Sequence, residues 1–197
     1  MSRRASATIV LLVAISGLAA TYLLTRASAP QIAAAQHLLD SRKWLDMLAP
    51  ESYDNQPLQQ PLSLIDTRLA HSQLSAGYRA TLNGKPAAIL LRSQTQGYVG
   101  AIELLIAIEP NGRLLAVKTL EQRETPGLGG HLADRPNPWL EAFAGKSSDA
   151  GWALKKDQGQ FDQIAGATVT SRAVINAVHD ALRYFDDHRA ALLGSGT

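Results

Sequence analysis

The chain of 197 residues contains no cysteine. That excludes a disulfide framework, thiolate zinc sites, cysteine-ligated iron–sulfur clusters and a cysteine nucleophile, and it is compatible with an oxidising compartment. Other signatures are missing too. There is no GxGxxG after a first strand, no GxxxxGK(S/T), no HExxH, no EF-hand loop and no serine in a nucleophile elbow. No internal repeat or low-complexity tract occurs. No cluster of Lys and Arg is interleaved with aromatics, so a nucleic-acid partner has little support.

The net charge of +2 belongs to the N-terminus. Arg3, Arg4 and Arg26 are the only charges in the first 26 residues, leaving 16 basic against 17 acidic side chains in the rest. Residues 5–25, ASATIVLLVAISGLAATYLLT, carry no charge. At about 1.5 Å per helical residue they reach roughly 31 Å, about one hydrocarbon core. A cleaved signal peptide is the alternative, because Ala27-Ser28-Ala29 resembles a cleavage site and Pro30 follows. The uncharged run exceeds the roughly 7–15 residues usual for a signal peptide, which favours a retained single-span anchor. Arg3 and Arg4 ahead of the run favour a cytoplasmic N-terminus, with the remainder outside the cytoplasmic membrane.

Beyond the anchor the pattern predicts an α+β domain with a mostly antiparallel sheet and flanking helices. Leu38, Leu39, Leu45 and Leu48 share a helix face before Pro50, and the polar, proline-bearing residues 51–61 read as a loop. Strands are expected at 62–66, 77–82, 87–92, 100–109 and 114–120, with turns at Asn83-Gly84 and Pro110-Asn111-Gly112. A short helix around 139–143 and a strand at 152–155 follow. A helix over 172–189 carries Val174, Val178, Leu182 and Phe185 on one face. The expected organisation is an anchor to residue 26, a helical connector and loop over 27–61, one domain over 62–190 and a tail over 191–197.

Two stretches could carry chemistry. ETPGLGG, residues 124–130, has Pro126 and three glycines, which gives either a structural turn or a loop laid against a flat ligand. In DQIAGATVTS, residues 162–171, Thr170 or Ser171 can N-cap the final helix, leaving amides and a partial positive charge beside Thr168. Such a place favours a phosphate, although most such triplets are only turns. A metal site from Glu121, Glu124, His131 and Asp134 matches no ligand spacing. His37, His71, His179 and His188 read as surface residues.

With DxxAGATVTS preceded by ETPGLGG, and YVGAIELLIAIEPNGRLLAV between the anchor and that loop, the chain resembles the FMN-binding domain family. It looks most like the G subunits of Rnf-type electron-transport complexes and is similar to the C subunits of sodium-translocating NADH:quinone reductases. The likeness covers nearly the whole chain. It implies an electron carrier in the bacterial inner membrane, with its FMN domain on the periplasmic side, other Rnf subunits as partners and no substrate-converting site of its own. It also implies covalent FMN, transferred from FAD by a flavin transferase to the threonine of a D-x-x-(S/T)-G-A-T motif. Here Thr168 is the acceptor, Asp162 the motif's acid, and Gly166 and Ala167 its small residues, with Ala165 where Ser or Thr is usual. Glu124, Thr125, Gly127, Leu128 and Gly129 are then the expected ring contacts. Lys155 is expected near the ring or phosphate, and amides at Thr170 and Ser171 near the phosphodiester. A flavin-free assembly module of the same fold is the alternative.

Overall fold

Asn83 and Gly84 take the chain through positive φ, 52° and 73°, and the runs on either side pair as the first hairpin. The computed structural model describes residues 43–194. The expected anchor and most of the connector helix lie outside the described residues, among which no helix is long and apolar enough to cross a membrane.

Four strands, β1 (Ser72–Leu82), β2 (Lys85–Gln96), β3 (Ala101–Ile108) and β4 (Leu114–Glu121), form an antiparallel sheet in the order β1-β2-β3-β4. The registers of the second and third pairs bring Leu91 opposite Ile106 and Ile106 opposite Val117. The sheet is buried on both faces, which is why its central strands read as nearly continuous apolar runs. On one face Ile89, Leu91, Ile102, Leu104 and Ile106 pack with Val174, Val178, Leu182 and Phe185 of the long C-terminal helix. On the other face Leu90, Leu105 and Ala107 pack with Tyr78, Leu45 and Leu48.

That second face draws on residues ahead of the sheet. The compact unit begins at Trp44, and residues expected to form a connector and loop supply part of its core. Asp46 is held to the sheet by the ammonium of Lys118 on β4, and it also pairs with Arg135, beyond the glycine loop, at 2.8 Å. Residues 50–52 and 57–59 make short 3-10 turns within the expected loop.

Two expected strands are absent from the described residues. Residues 62–66 lie beside β1, with Leu62 donating to the carbonyl of Gly77 at 2.8 Å, but Asp66 at φ 48° breaks the extension needed for a ladder. Tyr184 ties this segment down by donating to the Ile65 carbonyl at 2.9 Å. Residues 152–155 make only one bridge, Leu154 with Phe161, before the chain curls into a 3-10 turn at Lys155–Asp157. Gln158 follows at φ 66°, and Gly159 fits where a Cβ would stand 2.0 Å from the Ala153 carbonyl oxygen.

The short helix is α1 (Pro138–Glu141), capped by the Asn137 side chain accepting from the Leu140 amide. The long one is α2 (Thr168–Leu193). It begins four residues earlier than its apolar pattern predicts, so Thr170 and Ser171 are not its caps. Ala167 occupies the N-cap position with no side-chain hydrogen bond. At the far end Arg79 of β1 donates to the carbonyls of Leu192 and Ala191 at 2.6 and 3.1 Å, satisfying acceptors that a helix end leaves unpaired.

Phe143 sits fully buried between α1 and α2, edge-on to Trp139, Trp152 and Phe161 at centroid distances of 4.8, 5.8 and 4.6 Å. The segment bearing the DQIAGAT motif is therefore fixed from beneath by aromatic packing. Phe143→Ala is expected to cost about 3–5 kcal/mol of unfolding free energy. Denaturant unfolding would read this as a lowered midpoint with little change in slope.

Candidate functional site

Three loops meet at the start of α2: the β2–β3 turn at residues 97–100, the glycine loop after β4, and the segment leading into Thr168. What joins them is Glu124. Its side chain is buried, 5% exposed, and a carboxylate so placed must find donors. Its Oε1 accepts from the amides of Val99 at 2.9 Å and Gly100 at 3.4 Å, and its Oε2 accepts from the amide of Tyr98 at 3.3 Å. Thr170 on the first turn of α2 donates its hydroxyl to the same oxygen. Burial alone would raise the carboxyl's pKa, but the Thr170 hydroxyl and the three amides outweigh it and hold the group below its ordinary value.

The glycines fit this clamp. A Cβ on Gly97 would stand 2.5 Å from Glu124 Oε1, and one on Gly129 would stand 2.9 Å from both Glu124 Oε2 and Thr170 Oγ1. Gly166 has φ 71°, and a Cβ there would meet Leu128 Cδ2 at 2.6 Å. The small residues before Thr168 thus serve a left-handed backbone and a close approach of the glycine loop.

Beside the clamp lies a groove of about 350 Å³, lined by Tyr98, Glu124, Thr125, Leu128, Gly129 and residues 166–170. Of the six exposed large apolar side chains among the described residues, Tyr98, Leu128 and Val169 line this groove, and Val99 adjoins it. Thr168 is half-buried at its edge as the first residue of α2. Its hydroxyl donates to Gln163 Oε1 at 2.9 Å and accepts from Lys156 Nζ at 3.1 Å. The first i→i−4 bond of α2 runs from the Ser171 amide to the Ala167 carbonyl at 2.9 Å. The amides of residues 168–170 therefore have no acceptor within the helix.

A family profile described as an FMN-binding domain matches residues 97–183, a span that opens at the β2–β3 turn and closes within α2. The G subunit of the ion-translocating oxidoreductase complex of Pseudomonas aeruginosa is 44% identical over 188 residues, 92% of this chain and 88% of that protein. The chain belongs to the family of G subunits of ion-translocating oxidoreductase complexes. The family member from Photorhabdus laumondii is 38% identical over 184 residues, 88% of this chain and 85% of its own length. Among solved structures, Shewanella oneidensis NqrC aligns at 25% identity and a TM-score of 0.46, covering 58% of this chain and 61% of that one.

The geometry brings Glu124, Thr125, Leu128, Gly129, Gly166, Ala167, Thr168 and Thr170 to one groove, with Gly127 at φ 75° between Thr125 and Leu128 in the same loop. Three expected residues stand elsewhere. Ser171 is buried, its amide taken by Ala167 and its hydroxyl accepting from the Ile164 amide at 2.9 Å, so of the two expected amides only that of Thr170 is free of the helix ladder, together with those of 168 and 169. Asp162 is exposed and pairs with Lys155 at 2.6 Å. Lys155 is therefore turned to that carboxylate, and the lysine that touches Thr168 is Lys156. Ala165 is exposed. Among the described residues no cluster of carboxylates and histidines could hold a metal ion. His179 departs from the surface expectation: it is half-buried and stacks on Trp152 at 6.1 Å, and burial pushes its pKa down.

Lys156, Gln163, Tyr98 and Val169 lack any sequence signal that would have singled them out. Lys156 becomes a neighbour of Thr168 through the curl at 155–159, Gln163 through the turn that Gly166 makes at φ 71°, and Tyr98 joins the groove through the Glu124 clamp.

Glu124→Gln places an amide among donors and is expected to cost about 1–3 kcal/mol at neutral pH. Because the folded pKa lies below 4.5, the wild-type advantage is fully present above that value and is lost as pH falls through the folded pKa. Urea unfolding of both proteins from about pH 7 down to pH 3 checks this, with the difference constant in the upper range and shrinking in the lower.

Proposed function

We propose that this chain is the flavin-bearing electron-carrier subunit of an Rnf-type complex, with FMN joined to Thr168 by a phosphoester bond. The observation that carries the proposal is the position of the Thr168 hydroxyl. It stands at the edge of an apolar-rimmed groove, on the uncapped first turn of a 26-residue helix. The groove suits FMN on three counts. Tyr98, Leu128 and Val169 offer apolar surface for a flat ring. Gly129 and Gly166 leave the backbone close and free of Cβ atoms. The amides of residues 168–170, with the helix dipole behind them, favour the phosphate.

FMN supplies reversible electron transfer when bound. The chain's own residues would do the rest. Thr168 fixes the point of attachment, so the flavin cannot diffuse away. The first-turn amides take the phosphate charge. The Glu124 clamp keeps the β2–β3 turn, the glycine loop and α2 at fixed separation, which holds the groove open to one shape. The Thr168 hydroxyl is bonded to a carboxamide and an ammonium, neither of which is a base, so the proposal leaves its activation to a separate flavin transferase.

The proposal extends to placement. The uncharged segment at 5–25 would be the single membrane span, with the FMN domain on the periplasmic side and the other Rnf subunits as its electron partners.

The test is intact mass and in-gel fluorescence after denaturation, comparing wild type with Thr168→Ala. Both proteins are exported in cells that express a flavin transferase. Wild type should carry the mass of one FMN and fluoresce in the gel, and Thr168→Ala should do neither. Flavin released by denaturation would instead indicate a noncovalent site. No flavin in either protein, with the transferase active on a control acceptor, would favour a flavin-free assembly module.

A further inference from the structure

The hydroxyl of Thr168 is held on two sides. Its hydrogen goes to Gln163 Oε1 at 2.9 Å, and one lone pair accepts from the Lys156 ammonium at 3.1 Å. A hydroxyl has one hydrogen and two lone pairs, so one lone pair remains for attack on phosphorus. A carboxamide and an ammonium can aim a hydroxyl but cannot remove its proton.

The cations around this hydroxyl are not equivalent. Lys155 is engaged by Asp162 at 2.6 Å and Arg172 by Asp157 at 2.8 Å. Lys156 forms no ion pair among the described residues, and its hydrogen bond is to Thr168. Its direction is built in by the 3-10 turn at Lys155–Asp157, by Gln158 at φ 66° and by Gly159 pressed against the Ala153 carbonyl.

We propose that Lys156 is the phosphate-recognising residue of the modification site, aiming the Thr168 hydroxyl before transfer and pairing with the phosphodiester anion after it. The proposal rests on covalent attachment at Thr168. In the transfer, the bond from Thr168 Oγ1 to the phosphorus of the FMN half of FAD forms. The pyrophosphate P–O bond breaks, AMP leaves with the bonding pair, and the hydroxyl proton passes to a base on the transferase. No group changes oxidation state. A neutral hydroxyl becomes an ester carrying one negative charge, and Lys156, which acts on Asp157 only at longer range than an ion pair, is the cation beside it with no ion pair of its own among the described residues. Its compact ammonium has three donors, enough to reach both the ester oxygen and a non-bridging oxygen.

The experiment uses the full chain, purified in detergent from cells lacking a flavin transferase. It is incubated with FAD and the transferase, and covalent flavin is followed by in-gel fluorescence. Lys156→Arg should load within about threefold of wild type, Lys156→Gln about tenfold more slowly and Lys156→Glu more slowly still, because the effect follows charge. Melting temperatures should stay together, since the side chain is exposed. In the loaded protein the phosphorus NMR resonance should differ between wild type and Lys156→Gln. A lysine that served only to meet the transferase would leave that resonance in place, which would overturn the proposal. Equal loading rates across the series would overturn it as well. An unlabelled wild type, with the transferase active on a control acceptor, would overturn covalent attachment and this proposal with it.

Discussion

A negative charge taken out of water at Glu124 has to be met by donors, and the donors it finds belong to parts of the chain distant in sequence. Tyr98, Val99 and Gly100 are more than twenty residues before it, and Thr170 is 46 residues after it. The cost of burying an unpaired carboxylate is what makes their convergence obligatory. Gly97 and Gly129 are small because that carboxylate occupies the space a Cβ would need. The groove beside Thr168 is thus a by-product of satisfying one buried group.

The rest of the fold supplies the rigidity that lets one group act over such spans. A sheet covered on both faces cannot slide, and α2 lies across it from Thr168 to the carbonyls gripped by Arg79. Phe143 and its aromatic neighbours hold the segment that approaches Thr168. Each loop of the site is anchored in regular structure within a few residues of the residue it presents.

The meander was legible from the sequence, because Asn83-Gly84 and Pro110-Asn111-Gly112 punctuate runs of strand-forming residues. The core face of α2 was legible from its 3.6-residue period. Its true start was not, since Ala167 carries no capping side chain, whereas Thr170 and Ser171, which look like caps, are buried and bonded to Glu124 and Ala167. Trp152 to Lys155 has strand composition, but Gly159 and Gln158 turn the chain back before a ladder can form. The same turn decides that Lys156 rather than Lys155 reaches Thr168, a choice that two adjacent lysines do not disclose in one dimension. In the motif itself the small residues were visible, while their partner Leu128 was visible only in three dimensions.

The apolar rim of Tyr98, Val99, Leu128 and Val169 also bears on the life of the chain before it is complete. A domain this size seldom leaves several large apolar side chains together in water without a use for them. On the proposed reading, a flavin ring would cover that rim, and a chain without it would present an adhesive spot next to Thr168. Seating the cofactor in the proposed site would then complete the surface as well as the redox centre.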